Sequence, residues 1–354
     1  MNIFNIPCKG QKNMPKVSEL KKNFKKIFKN KYYTNHGPFV QELEEDLQEF
    51  LSVKNAMAMT NESIALIIAA KALGLKGKVL CSEFISASAL NSLNWAGLEP
   101  LVCKANRTTL CLNSSSFEKH LDSDVSAILG SHVQPNLSDN NWLEDFAKSN
   151  NLKLYFDSSS SFGSFYKNKR LGSFGDLEVF SFHENEIINS AEGGVLTTND
   201  DELAKRVRNI RSSYGSGPVV KVPITGNGRM SEAQAALALL SLKDYESNRL
   251  RNQMQFNLYE KLLKNCNYIH VIKPEKEAKP NLSSVTIRLY IHNNLNFKNI
   301  QLKRFVGKGI YKNFCINSNF DSNTLIIELP TGSLINNKII NEICDALISS
   351  VSDL

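Results

Sequence analysis

Short apolar runs alternate with helical stretches from residue 55 to residue 200, and this alternation limits the chain to very few folds. KVLCS, PLVC, VSAILGS and LKLYFD are near-continuous apolar segments, separated by a helix reaching Trp95 and another around 140–149. Strands covered on both faces read in this way, so the pattern predicts a largely parallel sheet with crossover helices, an α/β fold. Ahead of it lie an amphipathic helix near 16–30, the turn T-N-H-G-P at 34–38, the helix FVQELEEDLQEFL and the Ala-rich helix SIALIIAAKALGL, whose apolar residues recur at helical spacing. After EVFSF, GGVLTTN and the helix DELAKRVRNIRSS comes a long helical stretch from about Ser231 to Leu263. The runs SSVTIRLY and TLIIEL and a closing helix near 336–350 then read as a smaller α+β unit, which divides the chain into domains of 1–245 and 246–354.

In an open sheet of this kind ligands sit beyond the carboxyl ends of the strands. Asp157 ends the run LKLYFD, so its carboxylate is expected at that crevice. An aspartate there also caps turns, and both readings stay open.

Composition excludes several classes. No apolar run approaches the roughly 18 residues of a membrane span. The start MNIFNIPCKGQKNMPK lacks the apolar core and cleavage site of a secretory signal, so a cytoplasmic protein without membrane partners is expected. The seven cysteines are scattered, with no C-x-x-C pair, which favours reduced thiols over a disulfide framework or a metal site. The formal net charge of +7 is modest, and lysines 21, 22, 25, 26, 29 and 31 supply part of it. Their helical spacing suits the solvated face of an amphipathic helix better than a nucleic-acid patch, and the charge is compatible with anionic small molecules.

The segments TNHGPFVQELEEDLQEFL, NESIAL, WAGLEP, FDSSSSFGSFYKNKRLGSFGDLEVFSFH, EGGVLTTND and GNGRMSEAQAA, in this order and spacing, resemble the DegT/DnrJ/EryC1/StrS sugar aminotransferases. The resemblance runs from residue 34 to the last helix. It implies the fold type I aminotransferase architecture, cytoplasmic homodimers with sites at the subunit interface, and pyridoxal 5′-phosphate (PLP) used to aminate a nucleotide-linked keto-sugar for surface polysaccharides. Such chemistry needs a Schiff-base lysine, a carboxylate on the pyridine nitrogen, a stacking ring and phosphate donors.

Position by position the match is mixed. Asp157 falls on the pyridine carboxylate, Ser181 on the phosphate serine, and Asn227 on an asparagine that reaches the neighbouring subunit's phosphate. Glu186, in SFHENEIINSAEGG, stands where the Schiff-base lysine belongs. Glu62 and Ser63 replace the Gly-Thr of the phosphate loop, Ser86 replaces the stacking aromatic, and Ser160 replaces the Gln or His after the aspartate.

A carboxylate forms no imine, and an ionised Glu62 opposes a phosphate by on the order of a kcal/mol. The expectation is therefore a protein with no cofactor, PLP and its amine form PMP being disfavoured. Glu186, Asp157 and His183 would act on a nucleotide-linked sugar by carboxylate acid–base chemistry. Asn35, Gly37, Pro38, Lys167 and Arg229 are the substrate-side candidates, with Lys167 and Lys169 in a turn at the surface or against the nucleotide-sugar. His183 otherwise reads as a loop residue in a hydrogen-bond network, and His132 as a satisfied buried histidine. Two alternatives stay open: an aminotransferase or dehydratase holding PLP or PMP without a covalent bond, and a non-catalytic partner subunit of an active paralogue.

Overall fold

The computed structural model describes residues 10–112, 114–290 and 324–352. Residues 1–9 of the signal-peptide reading, together with Cys8 and Cys315, lie outside the described residues. The main sheet has seven strands: β1 (Asn55–Met59), β2 (Lys78–Ser82), β3 (Glu99–Cys103), β4 (Val125–Ser131), β5 (Lys153–Asp157), β8 (Leu177–Ser181) and β9 (Gly194–Thr198). Their order across the sheet is β1-β9-β8-β5-β4-β2-β3. β3, β2, β4, β5 and β8 run parallel, and β9 alone is antiparallel to both its neighbours, β8 and β1.

Strand side chains alternate between two cores, as the two-residue period demands. Leu80, Ile128, Leu154, Phe156 and Phe180 face one layer. It contains α2 (Pro38–Leu51), α6 (Asn140–Ser149) and α8 (Glu232–Lys243). Val79, Cys81, Ala127, Leu129, Tyr155 and Val179 face the other. That layer holds α3 (Glu62–Leu73), α4 (Ala87–Trp95) and α7 (Asp201–Ser212). Coverage on both faces is why these strands read as continuous apolar runs. α3 starts on Asn61, whose side chain accepts from the Ile64 N–H at 2.9 Å, and stops on Gly74 at φ 71°, a left-handed cap that glycine adopts without strain.

The helical stretch from Ser231 is two helices, because Asp244, at φ −90° and ψ 0°, breaks it between α8 and α9 (Tyr245–Leu263). Tyr245 then turns inward against Phe50 and Phe162. The lysine-bearing turn joins β6 (Phe165–Tyr166) to β7 (Lys169–Arg170) through two residues at positive φ, the backbone of a tight hairpin. β11 (Ala278–Lys279) extends this ribbon from β6. A second sheet joins β10 (Ile269–Val271), β12 (Ser284–Tyr290) and β13 (Thr324–Pro330). Phe256, Tyr259 and Leu263 of α9, with Ile340, Ile343 and Leu347 of a last helix, α10 (Asn337–Ser352), cover it. α1 (Val17–Asn30) lies against α8, and the five-residue α5 (Ser114–Glu118) follows β3.

Cys81, Cys103, Cys111 and Cys344 are buried free thiols and Cys266 is half-buried. No described helix is long and apolar enough to cross a membrane.

Candidate active site

Two cavities open at the carboxyl ends of the parallel strands. The larger, about 820 Å³, is lined by the start of α3, by α4 from Ser88 to Trp95, and by Ser181, His183, Asn185, Glu186 and Glu192. The smaller, about 160 Å³, lies deeper, between Ser86, Ser131, His132, Gln134, Asp157, Ser159 and Ser160. Glu62, Ser88 and Glu186 line both.

Each group is set by its element. Asp157 is the last residue of β5 and is buried. Its Oδ1 accepts from the N–H and hydroxyl of Ser159, and its Oδ2 accepts from Ser86 at 3.1 Å. Ser86 is also the N-cap of α4, accepting from the Ala89 N–H at 3.1 Å. The Ser86 and Ser88 hydroxyls lie 3.1 Å apart, and Ser88 donates to the Glu62 carboxyl at 3.0 Å. A line of two hydroxyls thus joins two carboxyls. Burial pushes both acids up, and the Asp157 charge adds to it at Glu62, which reaches about 8.

Ser181 ends β8, and its oxygen accepts from the His183 N–H at 3.3 Å. The loop behind it is anchored by buried Phe182, Ile187 and Ile188. His183 accepts the Glu186 N–H on its carbonyl at 2.9 Å, and its ring Nε2 lies 3.5 Å from Glu192. This local network holds Glu186, half-buried, between the two cavities.

Sequence reasoning missed Ser88, Glu192, Gln134 and Glu328, the last reaching the smaller cavity from β13. His132 is buried and stacked on Phe156, with Nδ1 accepting from Ser138 at 3.1 Å. Its Nε2, with Ser131 Oγ and Gln134 Oε1, has no hydrogen-bond partner among the described residues. None of Asn35, Gly37, Pro38, Lys167, Asn227 and Arg229 lines either cavity. Lys167 pairs with Glu277 at 3.3 Å, and Arg229 donates to Asn227 at 3.0 Å. Gly37 and Pro38 start α2, where Glu232 accepts the Phe39 and Val40 N–H groups; a side chain at 37 would strike Tyr32 and Glu232. The Asn35 carbonyl accepts from the Tyr32 hydroxyl at 2.8 Å.

The family model described as the DegT/DnrJ/EryC1/StrS aminotransferase family matches residues 16–311. A dTDP-4-amino-4,6-dideoxy-D-glucose transaminase of Shigella dysenteriae is 31% identical over 275 residues, 77% of this chain and 74% of the relative. A GDP-perosamine synthase of Caulobacter vibrioides is 31% identical over 232 residues, 64% of this chain and 62% of the relative. Among solved structures, DesI in the presence of its TDP-sugar product superposes with a TM-score of 0.83 at 24% identity, over 98% of this chain and 95% of that one. The putative sugar aminotransferase Spr1654 of Streptococcus pneumoniae, in its PLP form, gives 0.82 at 18% identity over 99% of both chains.

These findings overturn the expectation that the site takes no cofactor. The matched family is one of aminotransferases, the Shigella dysenteriae relative is named as a transaminase, and the Streptococcus pneumoniae structure is of a PLP form; amino transfer of this kind is carried by PLP and PMP. The objection drawn from Glu62 also loses force. Its carboxyl is turned onto Ser88, and burial with the Asp157 charge beside it favours the protonated form, which weakens any like-charge opposition to a phosphate.

The residues present fit PLP or PMP held without a covalent bond. A buried carboxylate stands at 157, and the Ser181 hydroxyl lines the larger cavity with the α3 N-terminus, whose first N–H groups favour anions. Gly194 lies against that N-terminus, where an added Cβ would stand 3.3 Å from the Glu62 nitrogen.

The raised Glu62 makes stability pH-dependent. A carboxyl raised on folding favours the folded state most below its unfolded value near 4.5, and that contribution is lost as pH rises through about 8. Between those values stability should fall by up to ~1 kcal/mol per pH unit. Urea midpoints should place Glu62→Gln above the parent at pH 8.5 and level with it at pH 5. Parallel pH curves for the two proteins would show that Glu62 ionises normally.

Proposed function

The chain belongs to the DegT/DnrJ/EryC1/StrS aminotransferase family, and we propose that it transforms a nucleotide-linked sugar of surface polysaccharide synthesis with PLP or PMP held non-covalently. The observation that carries the reading is Glu186 at the junction of the two cavities, a carboxylate in place of a covalent anchor.

When bound, the cofactor supplies the electron sink, or the amino group, for the reacting sugar carbon. Asp157 holds the proton on the ring nitrogen, its orientation fixed by Ser86 and Ser159. Ser181, Ser63 and the α3 N-terminus hold the phosphate. Glu186 would take a proton from the reacting carbon and return it, and the hydrogen-bonded Glu62 and Ser88, which line the same two cavities, would serve as a second proton store. His183 positions Glu186 through the loop turn. Asn227, paired with Arg229 and outside both cavities of its own chain, serves the second site of a homodimer.

PLP or PMP mixed with the purified protein should travel with it through gel filtration and separate completely on denaturation, even after borohydride. Asp157→Asn should weaken retention at least tenfold, the loss of one charge-assisted hydrogen bond being worth about 1.5–3 kcal/mol. Protein emerging free of both forms would sink the reading.

A further inference from the structure

Apart from the cavities, one surface is built unlike the rest of the molecule. Residues 16–31 carry seven lysines and a single acid, Glu19, which is six of the chain's seven net positive charges. None of these lysines forms an ion pair among the described residues. α1 is amphipathic, and its inner side is spoken for: Ile27 is buried, Leu20 and Phe24 are half-buried, and Asn23 approaches the Ala236 carbonyl on α8.

The outer side is mixed. Val17, Lys21, Lys25, Phe28 and Lys29 share one sector of the helix, with Lys22 and Lys26 beside it. Val17 and Phe28 are 65% and 64% exposed. Phe28 meets Tyr33 edge-on at 6.0 Å, and Tyr33 and Met14 are exposed as well. An apolar and aromatic border therefore runs along a lysine field.

We propose that this face of α1 docks the protein on an anionic phospholipid surface, with the lysines among the headgroups and Phe28, Val17 and Tyr33 at the acyl boundary. Charge complementarity selects an anionic partner, and the apolar border selects a lipid interface, where an aromatic ring and the long lysine stems are both satisfied. A nucleic acid fits less well. The segment has no arginine, the side chain whose planar fork suits phosphates and base edges, and the inner face of the helix is already packed. The contact is peripheral and independent of the cavity chemistry.

Co-sedimentation of the full chain with vesicles tests it. With one-third phosphatidylglycerol in phosphatidylcholine, binding should exceed that to pure phosphatidylcholine at least tenfold, and should fall steeply when salt is raised well beyond physiological strength. Lys21→Glu with Lys25→Glu and Lys29→Glu should abolish the difference. Phe28→Ser should weaken binding severalfold at unchanged charge. These side chains are exposed, and circular dichroism and melting temperature should match the parent. Equal binding to both vesicles, or an unaffected triple variant, would overturn the proposal. So would a gel shift of duplex DNA or RNA without vesicle binding, or a dimer that the triple variant dissociates, either of which reassigns the face.

Discussion

Glu186→Lys should convert PLP from a ligand that leaves on denaturation into one fixed to the chain. Position 186 lines both cavities and its backbone is pinned by the His183 carbonyl and by buried Ile187. A lysine there starts from the same loop and reaches the same junction. Glu62 and Asp157 line the smaller cavity with residue 186 and favour the ammonium form of a lysine there, so the coupling is to be run at alkaline pH, where the amine is neutral and nucleophilic. After borohydride treatment, intact-mass measurement should show close to one cofactor equivalent retained by the variant and none by the parent. The stacking ring stays absent at Ser86, which forfeits about 1 kcal/mol, a several-fold loss that excess PLP overcomes. A variant that binds PLP as the parent does, yet never retains it, would show that residue 186 does not face the reacting carbon. The proposed proton transfer by Glu186 would fail with it.

The scaffold was legible because its physics is local. β2, β4 and β5 are buried on both faces and so spell themselves out as apolar runs, and Asp157 at a strand end could be placed at the crevice from that alone. Glu186 was legible as a departure from a pattern. What it faces was not, because the lining of the smaller cavity includes Glu328 from β13, far along the chain. Ser88 left no mark either: a hydroxyl in the first turn of a helix has no periodic signature. Its partner Glu62 read as a charge opposing phosphate, whereas burial and Asp157 decide its protonation, and neither is visible from position in the chain. The break at Asp244 was missed because good helix formers lie on both sides of it.

Arg211→Met should be the most damaging single change outside the cavities, at roughly 3–5 kcal/mol, because it leaves a buried carboxylate without a main partner. Arg211 is 2% exposed and donates to Glu44 Oε1 at 2.6 Å and to the Ala58 carbonyl at 2.9 Å. Glu44 accepts in turn from the Ala58 N–H, from Arg208 at 2.7 Å and faces His36 Nε2 at 3.0 Å. Burial alone would raise the Glu44 carboxyl, yet Arg211, His36 and Arg208 together hold it well below the usual range. A carboxylate lowered on folding adds stability above its unfolded value near 4.5 and loses it as pH falls further. The gap between parent and variant should therefore be widest near pH 7 and narrow below pH 4. The damage should also reach the cofactor. The Arg211 carbonyl accepts from the Gly228 N–H, and the Gly228 carbonyl accepts from the Thr60 N–H, one residue before the Asn61 cap of α3. A loosened Arg211 frees the α3 N-terminus proposed to hold the phosphate, so retention of PLP should drop at temperatures where the variant is still folded. A loss of stability that is the same at every pH would show that the variant fails by packing alone, and that the ion pair is not what ties α2, β1 and α7 together.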